Sequence, residues 1–472
     1  MNTTLPTYPA GETAFDLNAG ATTQTALQQT PRPVSAAERI QTVDLVRGMA
    51  LLGILMMNIP VFGYLESGLP AVVKDPGSRD YFAYAFVGTT FEGTMRALFS
   101  MLFGAGMVLF ATNKPELGDG PTVVEYYYRR LLWLVLFGLF DAYILLWRGD
   151  ILFMYGLMGM LLYPFRKLSP NWLIGLAVAC MAIGMVKNEG WQGQMREARA
   201  GYLQATKIEK AGKKPSAKLL EQKANWERVE GRTKPDPKAD KKALSEMRGN
   251  YASVFTHMLP ENAGGEVWYV FHGFTDMLGM MFLGMALLGL GFFSNKLSTE
   301  TYLTLLLVGY GLGLPISWFY VQNSANMLLN PGQVIDTYRI SPNTLYDVRR
   351  VLLALGHASL LLLVYRSQLV PWLMRALTAV GQMAFTNYLT HSIVCSLFFY
   401  GYGLGNFGKL AYHQLYYVVF AIWVVQLIIS PIWLTYFRFG PFEWLWRSLT
   451  YWSPQPMRRA DTQPQLSNVA VG

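Results

Sequence analysis

Charge is scarce in this chain: Asp, Glu, Lys and Arg make up 15% of 472 residues, against roughly 25% in soluble proteins. A water-soluble fold of that length could not cover its surface with so few charges. Cysteine is scarcer still. Cys180 and Cys395 both fall in apolar stretches, which excludes a disulfide framework or a cysteine-based metal centre and leaves them as small buried hydrophobes. Histidine numbers five. There is no His-Glu-x-x-His, no Gly-x-Ser-x-Gly and no glycine-rich loop ending in Lys-Ser/Thr, so the common soluble-enzyme chemistries are not advertised. The glycines at 279–291 and 309–313 are of the kind that lets membrane helices approach closely. The first 36 residues have no basic segment followed by an apolar core, and read as a disordered tail rather than a signal peptide. Tandem repeats and inverted pairs of interrupted helices, the marks of solenoids and of many secondary transporters, are also missing.

What is present is apolar. Hydrophobic residues make up 52% and come in blocks near twenty residues, enough to cross a hydrocarbon core of about 30 Å. The expected fold is therefore all-α, a polytopic integral membrane protein of about ten transmembrane helices. The expected spans are Leu45–Tyr64, Phe91–Thr112, Arg130–Trp147, Ile151–Phe165, Trp172–Val186, Trp268–Phe293, Tyr302–Tyr320, Val348–Tyr365, Val380–Phe399 and Leu415–Phe437. They divide the chain into a tail (1–38), an N-terminal membrane half (39–186), a helical insertion (187–262), a C-terminal membrane half (263–452) and a second tail (453–472).

Lys and Arg outside the insertion concentrate on the side of the N-terminus, among them Arg39, Arg129, Arg130, Arg166, Arg366, Arg375 and Arg438. The positive-inside rule then places both termini in the cytoplasm and the insertion outside. Most of the formal net charge of +9 lies in the insertion, whose length lets it translocate regardless of charge. Its stretches 195–211 and 216–229 read as charged helices, followed by a third that Asp236 caps, running through Leu244 and Phe255. As a solvated cap it is unremarkable; as a basic surface it would capture an anionic ligand beside the membrane lipids. No groove-reading or zinc motif accompanies the charge, so nucleic acid is not an expected partner. An oligomer is compatible with the sequence.

Ionisable groups inside a bilayer are functional candidates by default, and here most fall in the half nearer the insertion. His272 and Asp276 stand one turn apart, the spacing at which a carboxylate orients an imidazole as a general base, or simply holds helix ends. His357, between Gly356 and Ala358, is a second candidate base. Asn58 and Asp141 lie late in their spans, Asp150 in a turn, and Arg349 and Arg350 open the eighth span. Asn387 and His391 share a face with Cys395, as a polar stripe or as interhelical hydrogen bonding. Glu92 and Arg96 are spaced to neutralise one another.

Six ordered segments carry a resemblance: Asp44-Leu-Val-Arg47-Gly48 with Asn58; Met95 to Gly106; Trp147-Arg-Gly-Asp150-Ile-Leu152; Gly381-Gln-Met-Ala-Phe-Thr-Asn-Tyr388; Phe399-Tyr-Gly-Tyr-Gly403; and Gly440-Pro-Phe-Glu-Trp-Leu-Trp-Arg447. Over about 39–452 the chain resembles the YeiB family, whose C-terminal half is a domain of unknown function. The resemblance implies a bacterial inner-membrane protein. The N-terminal helices are distantly similar to transmembrane acyltransferases, including the heparan glucosaminide acetyltransferases, which pass an acyl group from cytoplasmic acyl-CoA to an outward-facing sugar. In one branch a first-helix Arg is followed after ten residues by His. Here Arg47 is followed by Asn58, and no His precedes His257.

The expected activity is acyl transfer from a cytoplasmic thioester to an extracytoplasmic or membrane acceptor, with no bound cofactor or metal and acyl-CoA or another thioester as donor. His272 with Asp276, or His357, would serve as base. Asn58 and Asn387 would stabilise the oxyanion, with Asp141 beside them in the catalytic set. Arg47 would meet donor phosphates, and Asp150, Arg349, Arg350 and His391 would contact substrate. The alternative is a non-catalytic transporter or lipid carrier whose path the same groups line.

Overall fold

The computed structural model describes residues 40–112, 122–231, 234 and 236–459. The expected tails lie outside these, save for 453–459. Every named element among the described residues is a helix, apart from an isolated bridge between Phe437 and Arg458. The chain opens with α1 (Gln41–Gly63), α2 (Leu69–Lys74), α3 (Arg79–Thr90), α4 (Thr94–Thr112), α5 (Val123–Tyr143) and α6 (Leu152–Leu162). The insertion follows as α7 (Pro170–Lys210), α8 (Ala217–Gly231), α9 (Pro237–Met247) and α10 (Tyr251–Trp268). A π turn, Tyr269–Gly273, leads into α11 (Phe274–Gly289), then α12 (Thr299–Leu329), α13 (Pro331–Thr337) and α14 (Tyr346–Ser367). The chain closes with α15 (Pro371–Gln382), α16 (Ala384–Phe399), α17 (Leu415–Tyr436) and α18 (Pro441–Tyr451).

Seven of the described helical segments are long and apolar enough to cross a bilayer. The other three expected crossings correspond to α5, which carries Glu125, Arg129, Arg130 and Asp141, and to the shorter α6 and α16. Local chemistry sets the boundaries. The Thr122-Val-Val-Glu125 capping box starts α5 well before the expected Arg130. Gly93, at φ +66°, separates α3 from α4, so the expected second span begins at Thr94 rather than Phe91. The expected ninth span breaks at Met383, because Glu443 takes the amides of Phe385 and Thr386 (2.7 and 3.0 Å) and so caps a new helix.

The insertion is not a separate lid on ropes. α7 runs 41 residues through the expected boundary at 187, and α10 continues through the π turn into α11. Asp236 caps α9 as expected, accepting from Lys238 N and Ala239 N, but the expected third helix stops and restarts at Asn250, which caps α10. Trp226 of α8 is fully buried against α7 and α13, in a small core with Ala198 and Ile335. Burial works against the charge of Glu230 beside it. The Trp226 indole, Lys234 and Arg199 outweigh that and hold its carboxyl below the usual range.

α1 is the centre of the bundle, packed by α4, α15, α16 and α17. Two seams in the bundle are backbone to backbone. A Cβ on Gly104 would collide with the Met281 carbonyl oxygen and one on Gly284 with that of Met101, which locks α4 to α11. Gly48 and Gly381 stand in the same relation to the carbonyls of Leu377 and Asp44, locking α1 to α15.

α6 and α16 have 11 and 16 residues, about 16 and 24 Å of helix at 1.5 Å per residue. Neither spans ~30 Å of hydrocarbon alone, and an unsatisfied helix end inside it would be costly. Each amino end is met by a carboxylate, α16 by Glu443 and α6 by Asp150, which accepts from Leu152 N (3.1 Å) and Phe153 N (2.8 Å).

Candidate functional site

Those two capped ends frame a cavity of about 180 Å³. At the face of the molecule where α1 begins, Arg47, Arg130 and Arg447 line it, beside Gln382, Trp446 and Glu443. Arg47 pairs with Asp44 at 2.6 Å. Arg130 lies 4.0 Å from the centroid of the Trp446 ring and reaches no carboxylate within 4 Å among the described residues. Farther in, the walls are apolar: Phe99, Leu102, Phe103, Met107 and Phe110 from α4. The inner end carries two phenols, Tyr155 and Tyr388. The cavity is thus cationic at its mouth, greasy along its length and hydroxylated at its end, a lining suited to an anionic head with an acyl chain.

Tyr388 is the septum between this cavity and a carboxyl pair. Its oxygen accepts from Trp147 Nε1 (3.3 Å) and Ile151 N (3.2 Å), and its hydroxyl donates to Asp150 Oδ1 (3.4 Å). Trp147 is itself fixed by stacking on Phe62, with centroids 3.9 Å apart. Behind Asp150 lies Asp141, fully buried, whose neighbours are the Asp150 carboxyl and the Ser392 hydroxyl. Beyond the pair, toward the insertion, a small recess is lined by Arg148, Asp150, Asn262, Glu266 and Tyr269. Arg148 closes over it, ion-paired to Glu66 and to Glu261.

Of the residues singled out from sequence, Arg47, Asp150 and Asp141 fall at or behind this cavity, and the others lie elsewhere. His272 and Asp276 are not a dyad. His272 is exposed, stacked on Trp268 with Nδ1 3.2 Å from the Trp268 carbonyl oxygen, while Asp276 pairs with Arg96 (2.9 Å) and Arg350. Arg350 also holds Asp347, and Arg349 pairs with Glu92, so the expected Glu92–Arg96 pairing gives way to cross-helix partners. Arg349 and Arg350 are completely buried. This network of three arginines and three carboxylates ties α4, α11 and α14 together, and leaves neither arginine open to substrate. Tyr269 and Arg96 connect it to a second recess on the insertion side, lined by Lys187, His272 and Asp347.

His357 is wedged between Phe91 and Tyr310, with Nε2 3.1 Å from the Thr90 carbonyl oxygen, remote from the carboxyl pair in its contacts. Asn387 spends its amide on the Val380 carbonyl and Ser430 hydroxyl, and His391 meets Gln426 at 3.0 Å, so both join α16 to α17. Asn58 is half-buried and lines none of the recesses described above. Sequence reasoning missed Arg130, Tyr155, Tyr388, Glu266, Glu443 and Arg447 as site residues. Tyr388, Glu443 and Arg447 stood in the motif segments, the only signal that could have found them.

An all-α membrane protein with a cation-mouthed cavity that ends on two phenols, one of them backed by a carboxyl pair, is the class that fold and site define. A family described as "Protein of unknown function (DUF418)" matches residues 287–453. The chain is 31% identical over 444 residues to "Uncharacterized protein YxaH" of Bacillus subtilis (strain 168), covering 91% of this chain and 98% of that protein. It is 28% identical over 431 residues to "Uncharacterized protein YeiB" of Escherichia coli (strain K12), covering 88% and 96%. The chain belongs to the YeiB family. No solved structure matches it.

Proposed function

We propose that this protein is a transmembrane acyltransferase of the bacterial inner membrane, taking an acyl group from a cytoplasmic thioester such as acyl-CoA to an acceptor hydroxyl that arrives from the insertion side. The observation that carries this reading is the cavity: three arginines at its mouth, an apolar barrel and, across Tyr388, a pair of carboxyl groups. Arg47, Arg130 and Arg447 would hold donor phosphates, and the phenyl and leucyl walls the acyl chain. The acceptor oxygen attacks the thioester carbon while Asp150 takes its proton. The C–S bond breaks, the thiolate takes that proton, and ester and free thiol leave on opposite sides. Water is kept from the thioester by the apolar walls of α4.

Purified protein should consume acyl-CoA in the presence of an extract of membrane acceptors. Arg130→Gln should weaken donor binding about tenfold, the loss of one charge-assisted contact worth ~1.4 kcal/mol. Binding without consumption would favour the carrier reading, and absence of binding would end both the donor assignment and the transfer.

The orientation is tested separately. A reporter active only outside the cytoplasm should be active when fused at Gly212, and silent when fused after Pro456 or at position 117. Activity at 117 would invert the whole arrangement.

A further inference from the structure

In and beside the recess behind Tyr388 lie four buried polar atoms without a hydrogen-bond partner among the described residues: Asp141 Oδ1 and Oδ2, Asn262 Oδ1 and Glu266 Oε1. Asp141 is 0% and Asn262 2% exposed. Buried polar atoms without protein partners are met by water or by a proton that turns one of them into a donor. The recess that Asn262, Glu266 and Asp150 share is about 10 Å³, close to the ~10–15 Å³ that one water needs. A metal ion does not suit it, since no three described acidic, histidine or cysteine side chains cluster closely enough to hold one.

The two carboxyls are unequal. Asp150 accepts two backbone N–H bonds at the amino end of α6 and the Tyr388 hydroxyl, all of which favour its carboxylate. Asp141 has only the Ser392 hydroxyl beside it for that purpose. The groups facing the pair are Tyr388 and Ser392 of α16, Tyr400 after it, Glu266 and Asn262 of α10 and Tyr269 of the π turn. Arg148 is the cation at the recess, and its partners are Glu66 and Glu261.

We propose that Asp141 is a resident proton site, holding one proton that it donates to Asp150, and that Asn262, one water and Glu266 connect it to the insertion-side solvent. Glu266 is half-buried at the outer end of that line and accepts the Tyr143 hydroxyl at 2.9 Å. A proton moves along it by exchange: Glu266 takes one from solvent, passes it to the water at Asn262, and the Asp141–Asp150 pair receives it, no bond other than O–H forming or breaking. The inference does not rest on acyl transfer, because the pair and its path would serve a proton-coupled carrier equally. If the chain is a transferase, it gives Asp150 a reference to the pH of one face only.

The test is infrared spectroscopy of the full-length protein in lipid nanodiscs, which sees a protonated carboxyl group directly. At pH 7 the wild type should show a carboxylic-acid band that shifts in deuterated water. Asp141→Asn should remove that band. Asp150→Asn should keep it at an altered frequency, since a lone buried Asp141 stays protonated. Glu266→Gln should leave the band in place and slow its deuterium exchange by at least about tenfold, with melting temperature recorded on each sample. A missing band in wild type, or a band indifferent to Asp141→Asn, overturns the proton site. Exchange unchanged by Glu266→Gln overturns the path. Loss of the band on adding sodium or potassium ions would make this a cation site instead.

Discussion

Arg350→Leu should destabilise the protein by about 3–5 kcal/mol, the cost of stranding a buried charge whose partner has been removed. Arg350 is completely buried, paired with Asp276 and Asp347, and stacked 4.4 Å from the centroid of the Tyr346 ring. Arg96 remains to neutralise Asp276 at 2.9 Å, so Asp347, itself buried, is the group left exposed to the penalty. The double variant Arg350→Leu with Asp347→Leu removes both ends and should recover most of the loss, because replacing a buried pair by apolar groups is often neutral. Chemical or thermal unfolding in detergent reads both. A single variant as stable as wild type would mean the network is wetter and looser than its burial implies.

Asp150→Asn should lower turnover by roughly 10²–10⁴ at nearly unchanged stability. Leu152 N and Phe153 N donate to different oxygens of Asp150, so asparagine keeps one of the two bonds, still enough to cap the start of α6. What it cannot do is take a proton. Consumption of acyl-CoA by purified variant and wild type, with melting recorded on the same preparations, separates the outcomes. A rate that falls only in step with stability would assign Asp150 to capping alone, and the carrier reading would stand ahead of transfer.

The spans were legible because hydrophobicity over twenty residues is a bulk property, and length alone decides whether such a run can cross. The pairings were not. Glu92 and Arg96 sit at the spacing that favours mutual contact, yet their partners are 257 and 180 residues away in sequence. Nothing in a local window reports which helix will lie alongside. His272 and Asp276 failed for a different reason. His272, in the π turn 269–273, is held back on Trp268 while Asp276 is drawn to Arg96 and Arg350, and neither partner is visible in a local spacing. The limits at 187 and 262 failed in a third way. Hydropathy marks where a helix leaves the membrane, whereas backbone hydrogen bonding carries α7 and α10 straight through. The site itself was half legible: Arg47, Asp141 and Asp150 stood out as charges in apolar context, but Tyr388 and Glu443 look ordinary until α16 is seen to start at Ala384.

The glycine seams bear on how anything could pass through this molecule. Alternating access by rocking requires one half of a protein to tilt against the other, and therefore an interface able to slip by a notch and repack. Here α4 and α1, from before the insertion, meet α11 and α15, from after it, with glycine against carbonyl at both seams. Main-chain ridges seated this closely have no side chains to swing aside, so a tilt would have to lift whole helices apart before they could move past one another. Residues 41–63 and 371–382 on one side, and 94–112 and 274–289 on the other, behave as a welded frame. Traffic across such a frame has to be carried by small parts moving inside it, a phenol turning or an Arg148 ion pair opening, while the walls stay still.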